Sequence, residues 1–163
     1  KTIIKVYNAD KSNYTMYTIK YSEADLSLWK SHRVYEINGF EVSQEKQAEN
    51  SGNNMFDGRM TTRWTSLNTG EYATVDLGES KDVTAVAMGF WKSDTRSYKF
   101  TVQISDDGIN FTDILTTSSP LKPEGYHIYD LPPAKARYIR IVGDGNTANV
   151  NTNILELRVL GNK

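Results

Sequence analysis

Residues 53–64 have the sequence Asn53-Asn54-Met55-Phe56-Asp57-Gly58-Arg59-Met60-Thr61-Thr62-Arg63-Trp64. An apolar pair precedes an Asp-Gly turn, a run rich in oxygen donors and an aromatic residue. Gly58 favours a tight reversal because glycine accepts positive φ angles. Such a loop places carbonyl oxygens beside the Asp57 carboxylate and the Thr62 hydroxyl. Calcium binds this mixture of oxygen ligands, but the site would need a second carboxylate. Glu156 is the candidate for that carboxylate. The residues alone leave a metal-free surface turn open as the alternative.

Length and composition restrict the classes of protein that this chain can represent. Its 163 residues suit one domain, or one domain with an appendage, and its net charge of −1 argues against a strongly basic nucleic-acid surface. The absence of cysteine excludes a disulfide framework and a cysteine zinc site. No apolar stretch approaches the roughly 18 residues of a membrane-spanning helix. We therefore expect no nucleic-acid partner, and a net charge so close to zero gives no global attraction to a membrane.

The first 34 residues form a separate part of the sequence pattern. Residues 3–7 and 14–21 are rich in β-branched and aromatic residues on either side of a polar turn, which predicts a β-hairpin. Ser22 begins a predicted short helix that includes Trp29 and acts as a connector. We divide the chain into residues 1–34, the end of a preceding domain or appended strands, and residues 35–163, the main domain.

The main domain has the pattern of an all-β protein. Short apolar and alternating segments follow one another with turn residues between them, and they predict strands at 40–43, 72–77, 83–91, 98–105, 111–115, 126–131, 137–142 and 154–160. The segment 83–91 is apolar on both faces, as expected for a central strand covered on two sides. This spacing predicts a two-sheet antiparallel β-sandwich of the jelly-roll type.

Five blocks in order along residues 35–161 resemble the discoidin family, also called the factor V/VIII type C domain. They most resemble its bacterial branch, the family 32 carbohydrate-binding modules. The blocks are DGRMTTRW at 57–64, VDLG at 75–78, VQISDDGINFT at 102–112, ARYIRI at 136–141 and ILELRVLG at 154–161. The resemblance implies a galactose-binding-domain-like jelly roll.

The resemblance also implies a structural calcium ion (Ca2+) near one end of the sandwich. Its ligands would be two carboxylates with neutral oxygens, a combination that suits calcium. Carried over position by position, they are the carbonyls of Asn54, Arg59 and Leu155, the carboxylates of Asp57 and Glu156, and the carbonyl and hydroxyl of Thr62. We expect the ion to hold the 53–62 loop against the last strand.

The resemblance further implies that loops at one end of the sandwich bind sugar. Residues 89–99 contain an aromatic residue where an apolar strand ends, together with three cations and one acid. The candidate ligand-binding residues in this segment are Trp91, Lys92, Arg96 and Tyr98. The alternative is that Trp91 and Tyr98 fill the core and that the charged residues form a solvated turn.

A second polar loop, residues 143–153, is dense in asparagine. Its candidates are Asn146 and Asn149, because an amide both donates and accepts hydrogen bonds, although a wide turn has the same composition. The two loops together resemble modules attached to bacterial polysaccharide lyases. This resemblance implies an acidic polysaccharide such as alginate, pectin or a glycosaminoglycan, and Arg96 would form a bidentate pair with a uronate carboxylate.

The expected function is therefore binding without catalysis. The sequence contains no nucleophile motif, phosphate-binding glycine loop or histidine-rich metal triad. We expect a monomeric carbohydrate-binding module within a secreted or cell-surface, multidomain bacterial polysaccharide lyase or glycoside hydrolase, and this chain would be a fragment of that protein. The alternative is an adhesion module that binds a protein or anionic lipid headgroups.

Overall fold

The computed structural model describes residues 2–7, 14–19, 28 and 30–163, and only the backbone of 2–7 and 14–19. Most of the predicted connector helix, including Trp29, lies outside these residues. No helix in the described ranges is long and apolar enough to cross a bilayer. The regular elements are β1 (Thr2–Tyr7), β2 (Tyr14–Ile19), β3 (Arg33–Val34), β4 (Gly39–Val42), the 3-10 helices η1 (Ala48–Asn50) and η2 (Gly52–Phe56), β5 (Trp64–Thr65), β6 (Tyr72–Phe90), β7 (Tyr98–Ser105), β8 (Thr112–Ser118), β9 (His127–Asn146) and β10 (Asn153–Gly161).

The predicted N-terminal hairpin is confirmed. β1 and β2 form an antiparallel two-stranded sheet whose register runs from Thr2 opposite Ile19 to Tyr7 opposite Tyr14. The turn at 8–13 lies outside the described residues. The division between residues 1–34 and 35–163 stays a prediction.

The remaining strands form the predicted antiparallel sandwich. One layer contains β4, the first half of β6, the second half of β9, β7 and β8. The other contains β3, β5, β10, the second half of β6 and the first half of β9. Side chains of both layers, such as Val75 and Ile141 from one and Met88 and Leu157 from the other, share a single buried core. The all-β, jelly-roll fold class is therefore confirmed.

β6 and β9 are longer than the sequence pattern predicts. Each was expected as two strands, but the two elements remain paired on both sides of a register shift between Asp76 and Lys81. Gly78 lies at this shift with φ of 78°, a conformation that glycine adopts without strain. The continuous pairing carries both strands from one layer of the sandwich to the other.

The second half of β6 is covered on both faces, as its apolar sequence predicts. Val86, Met88 and Phe90 belong to the main core. Ala85 and Ala87 pack on the opposite face in a smaller buried cluster with Leu28 and Leu160. This part of β6 is thus a rigid support for the residues that follow it.

The candidate ligand loops leave the sandwich at one end. The register places Tyr98 opposite Asn146 and Phe90 opposite Ile154, so 91–97 and 147–152 are neighbours. The loop before β6 lies there too, because the Gly70 amide donates to the Gly143 carbonyl at 2.7 Å. These three connecting segments therefore lie together at one end of the domain.

Candidate functional site

The structure brings the two predicted ligand loops together. The Thr147 amide donates to the Ser97 carbonyl at 3.0 Å. The Ser97 amide donates back to Thr147 Oγ1 at 3.3 Å. These two bonds join 91–97 to 147–152, so that both loops present side chains to one surface.

Hydrogen bonds within and around the 91–97 loop fix its backbone. The Lys92 carbonyl accepts from the amides of Thr95 and Arg96 at 3.0 and 2.9 Å, and the Lys92 amide donates to Glu124 Oε1 at 2.6 Å. Lys92 has φ of 53°, the left-handed region that non-glycine residues rarely adopt. Buried Ser93 donates from Oγ to the Lys122 carbonyl at 2.9 Å. The loop is therefore held in one shape by neighbouring segments.

Trp91 is the centre of a group of positive charges. Its side chain is partly buried, and its ring centroid lies 4.0 Å from Arg63 Cζ, 4.6 Å from Lys92 Nζ and 5.0 Å from Arg96 Cζ. We call Trp91, Arg63, Lys92 and Arg96 the cationic cluster. Cations at such distances are attracted to the indole ring by roughly 0.5–2 kcal/mol each. None of the three cations forms an ion pair with a carboxylate of the described residues.

Arg63 is the member of the cationic cluster that sequence reasoning missed. It lies outside both predicted ligand loops and reaches Trp91 because β5 and β6 pair with the same residue of β10: Ile154 lies opposite both Trp64 and Phe90. Its Nε atom is buried and donates to no acceptor in the described part of the chain. An unpaired buried donor costs about 1–3 kcal/mol, which makes this group unusual for a purely structural residue.

Tyr98 supports the site from below instead of lining it. Its side chain is 0% exposed and stacks on Phe90 with 4.8 Å between ring centroids. Its hydroxyl donates to the Trp91 carbonyl at 2.7 Å, and burial raises the pKa of the phenol. For Tyr98 the core alternative therefore describes the structure better than direct contact with a ligand.

The two asparagines of the second loop differ in how their amides are used. Asn146 donates from Nδ2 to Asn149 Oδ1 at 2.8 Å and to the Asn151 carbonyl at 2.7 Å, and its Oδ1 accepts from the Ala148 amide at 2.8 Å. It thus shapes the loop. Asn149 is exposed and is the better placed of the two for contact with a bound molecule.

Four of the six predicted metal-binding residues lie together, and we call Asp57, Arg59, Thr62 and Glu156 the acidic cluster. The Arg59 amide donates to Asp57 Oδ1 and to Glu156 Oε1, both at 2.8 Å. Thr62 Oγ1 donates to Asp57 Oδ2 at 2.7 Å and lies 3.4 Å from the Arg59 carbonyl oxygen. Two carboxylates therefore converge on one amide, with a hydroxyl and a carbonyl beside Asp57, and oxygens of these types suit calcium.

The other two predicted ligands occupy the segments beside the acidic cluster. Asn54 lies in η2, and its Nδ2 donates to the carbonyls of Glu49 and Arg63 at 2.7 and 2.9 Å, so its side chain braces the loop. Leu155 is buried immediately before Glu156 in β10. The metal-binding roles of their carbonyls stay predictions.

Glu156 is a buried acid with a nearby cation. It is 1% exposed, and its Oε2 accepts from Arg158 Nη1 at 2.7 Å and from the Tyr126 hydroxyl at 3.2 Å. Burial raises the pKa of Glu156 to about 7, assisted by the Asp57 charge and opposed by Arg158, the Arg59 amide and Tyr126. Arg158 also donates to the Met55 carbonyl at 3.3 Å. Arg158 therefore links β10 to η2. From the sequence, the connection between these two segments was expected to come from a metal ion alone.

Comparison with known proteins gives one family and several solved relatives. The model of the F5/8 type C domain matches residues 36–157. The CBM32 of AlyQ in complex with 4,5-unsaturated mannuronic acid is 30% identical, with a TM-score of 0.75 over 78% of this chain and 98% of that chain. Chitosan-binding module 1, derived from a chitosanase/glucanase of Paenibacillus sp. IK-5, is 26% identical, with a TM-score of 0.61 over 76% of this chain and 94% of that one.

A curated relative matches over a shorter region. Human BTB/POZ domain-containing protein 9 is 31% identical over 75 residues, which is 46% of this chain and 12% of that protein. The chain thus spans about an eighth of the length of the curated relatives it matches. The likeness concerns one segment and not the whole protein.

Proposed function

This chain belongs to the F5/8 type C domain family, and on that basis we propose that it is a noncatalytic carbohydrate-binding module of a secreted bacterial glycan-degrading enzyme. Its solved neighbours are carbohydrate-binding modules, and one of them derives from a chitosanase/glucanase. A linked module keeps a catalytic domain on its polymer, because the second contact becomes intramolecular and its effective concentration rises.

The cationic cluster carries this proposal and favours an acidic polysaccharide. Three positive side chains lie within 5.0 Å of one ring centroid, none of them forms an ion pair with a carboxylate of the described residues, and a local concentration of positive charge attracts an anionic ligand. The two solved neighbours differ in ligand charge, since one is in complex with a mannuronic acid derivative and the other is a chitosan-binding module. The ligand charge is therefore proposed from this chain's own residues.

Each residue of the site has a distinct proposed role. Arg96 and Lys92 bind uronate carboxylates, Arg96 through two parallel N–H groups. Trp91 provides the apolar surface and holds the cations around it. Asn149 donates from Nδ2 to sugar hydroxyls, because its Oδ1 already accepts from Asn146 Nδ2 and the Asn151 amide, whereas Tyr98 and Asn146 position the loops.

Trp91→Ala is expected to abolish glycan binding without unfolding the domain. The substitution removes the ring on which the three cations lie, while Trp91 is only partly buried and belongs to neither hydrophobic cluster. The measurement is a glycan array in calcium with wild type and variant side by side, accompanied by thermal melts.

Tyr138→Ala is the matched control for this experiment. Tyr138 is also a partly buried aromatic residue next to a cation, with Arg137 Cζ 4.9 Å from its ring centroid, but it lies on β9 away from the ligand loops. It should bind glycans as wild type does. A collapsed melting transition in Trp91→Ala would assign Trp91 to the core, and unchanged glycan binding would remove it from the site.

We also propose that the acidic cluster binds a structural calcium ion. The supporting observations are the convergence of two carboxylates on one amide and the burial of Glu156, whose charge a cation would neutralise. The ion would supply a fixed positive charge between the 57–62 loop and β10. Its role would be stabilisation, because it would join the loop to the last strand.

Anionic lipid headgroups are the alternative ligand, because the cationic cluster would also attract phosphate. Sedimentation with liposomes that contain or lack acidic lipid separates the two functions. Binding that requires acidic lipid, combined with an empty glycan array, would reject the carbohydrate proposal in favour of an adhesion module.

A further inference from the structure

We propose that Arg63 is the specificity-determining residue that makes this site prefer anionic over neutral glycans. The inference rests on the proposed carbohydrate-binding function and adds to it a residue from outside the ligand loops. Among the cations around Trp91, Arg63 has the shortest distance to the ring centroid, 4.0 Å. It is supplied by the segment that joins the acidic cluster to β5.

The backbone around Arg63 is fixed on both sides. Its carbonyl accepts from Asn54 Nδ2 at 2.9 Å. The next residue, Trp64, is fully buried and donates from Nε1 to the Gln44 carbonyl at 2.9 Å. A cation on such a backbone loses little freedom when it binds a ligand, and preorganisation of this kind strengthens binding.

The Arg63 guanidinium has no counter-charge among the described residues, in contrast to other arginines of this domain. Arg137 pairs with Asp76 at 2.8 Å and Arg158 pairs with Glu156 at 2.7 Å. Arg63 forms no ion pair within the part of the chain that the structure describes, and its buried Nε has no acceptor there. Its charge is therefore held in place by an aromatic ring and left for an external anion.

Arg63 differs in its placement from Arg96 and Lys92, the two cations of the cluster that the proposed function already assigns to uronate carboxylates. Arg96 lies farther from the ring centroid, with its Cζ at 5.0 Å. Lys92 is an exposed, flexible point charge. All N–H groups of a guanidinium lie in its own plane, so that the two Nη groups of Arg63 can bind a carboxylate through two parallel bonds while its Cζ lies 4.0 Å from the Trp91 ring centroid.

The test compares Arg63→Gln, Arg63→Lys and the control Lys135→Gln. Lys135 pairs with Asp82 in an exposed ion pair away from the ligand loops, so its substitution changes the net charge by the same amount as Arg63→Gln. Calorimetry would measure Kd for an oligomannuronate and for a neutral manno-oligosaccharide of equal length, and thermal melts would confirm folding.

Arg63→Gln should weaken oligomannuronate binding about 10- to 100-fold, the effect of one charge-assisted hydrogen-bonding group, and change neutral binding less than about threefold. The affinity of Arg63→Lys for the oligomannuronate should lie between those of wild type and Arg63→Gln, because lysine keeps the charge but lacks the planar guanidinium that forms two parallel hydrogen bonds. If both Arg63 variants retain the wild-type ratio of the two Kd values, as Lys135→Gln should, the inference is wrong although the proposed function stands. If wild type binds neither glycan and no acidic glycan on the array, the proposed function fails and this inference falls with it.

Discussion

At pH 8, above the Glu156 pKa of about 7, Arg158→Met is expected to lower the free energy of unfolding by about 3–5 kcal/mol, because removing one partner of a buried ion pair leaves the other charge uncompensated. The Arg158 side chain is 18% exposed and its partner Glu156 only 1%. The variant also loses the hydrogen bond to the Met55 carbonyl that joins β10 to η2. In chelator, thermal melts should show a melting temperature lower by roughly 6–20 °C.

Two further variants separate this effect from general loss of charge. Lys135→Met breaks an ion pair whose side chains are 73% and 74% exposed, and exposed pairs of this kind contribute about 1 kcal/mol or less. Adding Glu156→Gln to Arg158→Met should restore much of the lost stability, since no buried charge remains. A loss in Arg158→Met no larger than in Lys135→Met would show that Arg158 does not hold the last strand to η2.

Calcium is expected to stabilise the domain, and more at pH 8 than at pH 5.5. The folded-state pKa of Glu156, about 7, lies above its usual 4.5. Without metal, the folded state therefore holds the proton more tightly than the unfolded chain, so this group lowers stability as pH rises from about 4.5 to about 7, by at most roughly 3 kcal/mol. Below pH 7 the proton also competes with the ion for the carboxylate.

The measurement is the melting temperature in chelator and in calcium at both pH values. At a free calcium concentration 100 times its Kd, the gain at pH 8 should be about 2.7 kcal/mol, or roughly 5–10 °C. Burial lowers the pKa of His127, so this residue makes stability rise with pH, opposite to Glu156. The contribution of Glu156 is therefore the difference in melting temperature between wild type and Glu156→Gln at each pH. Magnesium is the control ion, because it demands a tighter octahedral site. Equal melting temperatures with and without calcium would contradict the metal proposal.

The fold and the acidic cluster could be predicted because their signals are local or belong to the family. Strands of the sandwich follow from alternating and doubly apolar segments, and the two-sided burial of the second half of β6 follows from its sequence alone. The meeting of Asp57, Thr62 and Glu156 followed from the family resemblance, which relates a loop to a strand far along the chain. The division of β6 and β9 into separate strands was wrong, because their mutual pairing outweighs the turn signal at Gly78.

The cationic cluster could be predicted only in part, because Arg63 reaches Trp91 through long-range register. Nothing near Arg63 in sequence indicates that β5 and β6 both pair with Ile154. The burial of Tyr98 had a signal, since it alternates in phase with Phe100 and Val102, which are both core residues. No feature of the sequence indicated that Arg158 is mostly buried, because a charged residue in a strand normally faces solvent.

The most direct test of the central claim is an NMR titration of the isotope-labelled chain with an oligomannuronate in calcium. Binding at the loop end should shift the Trp91 indole resonance, the amides of 91–97 and 147–152, and the side-chain resonances of Arg63. Shifts centred instead on the outer sheet face around Tyr138, or no shifts at millimolar ligand, would contradict a glycan-binding site at the cationic cluster.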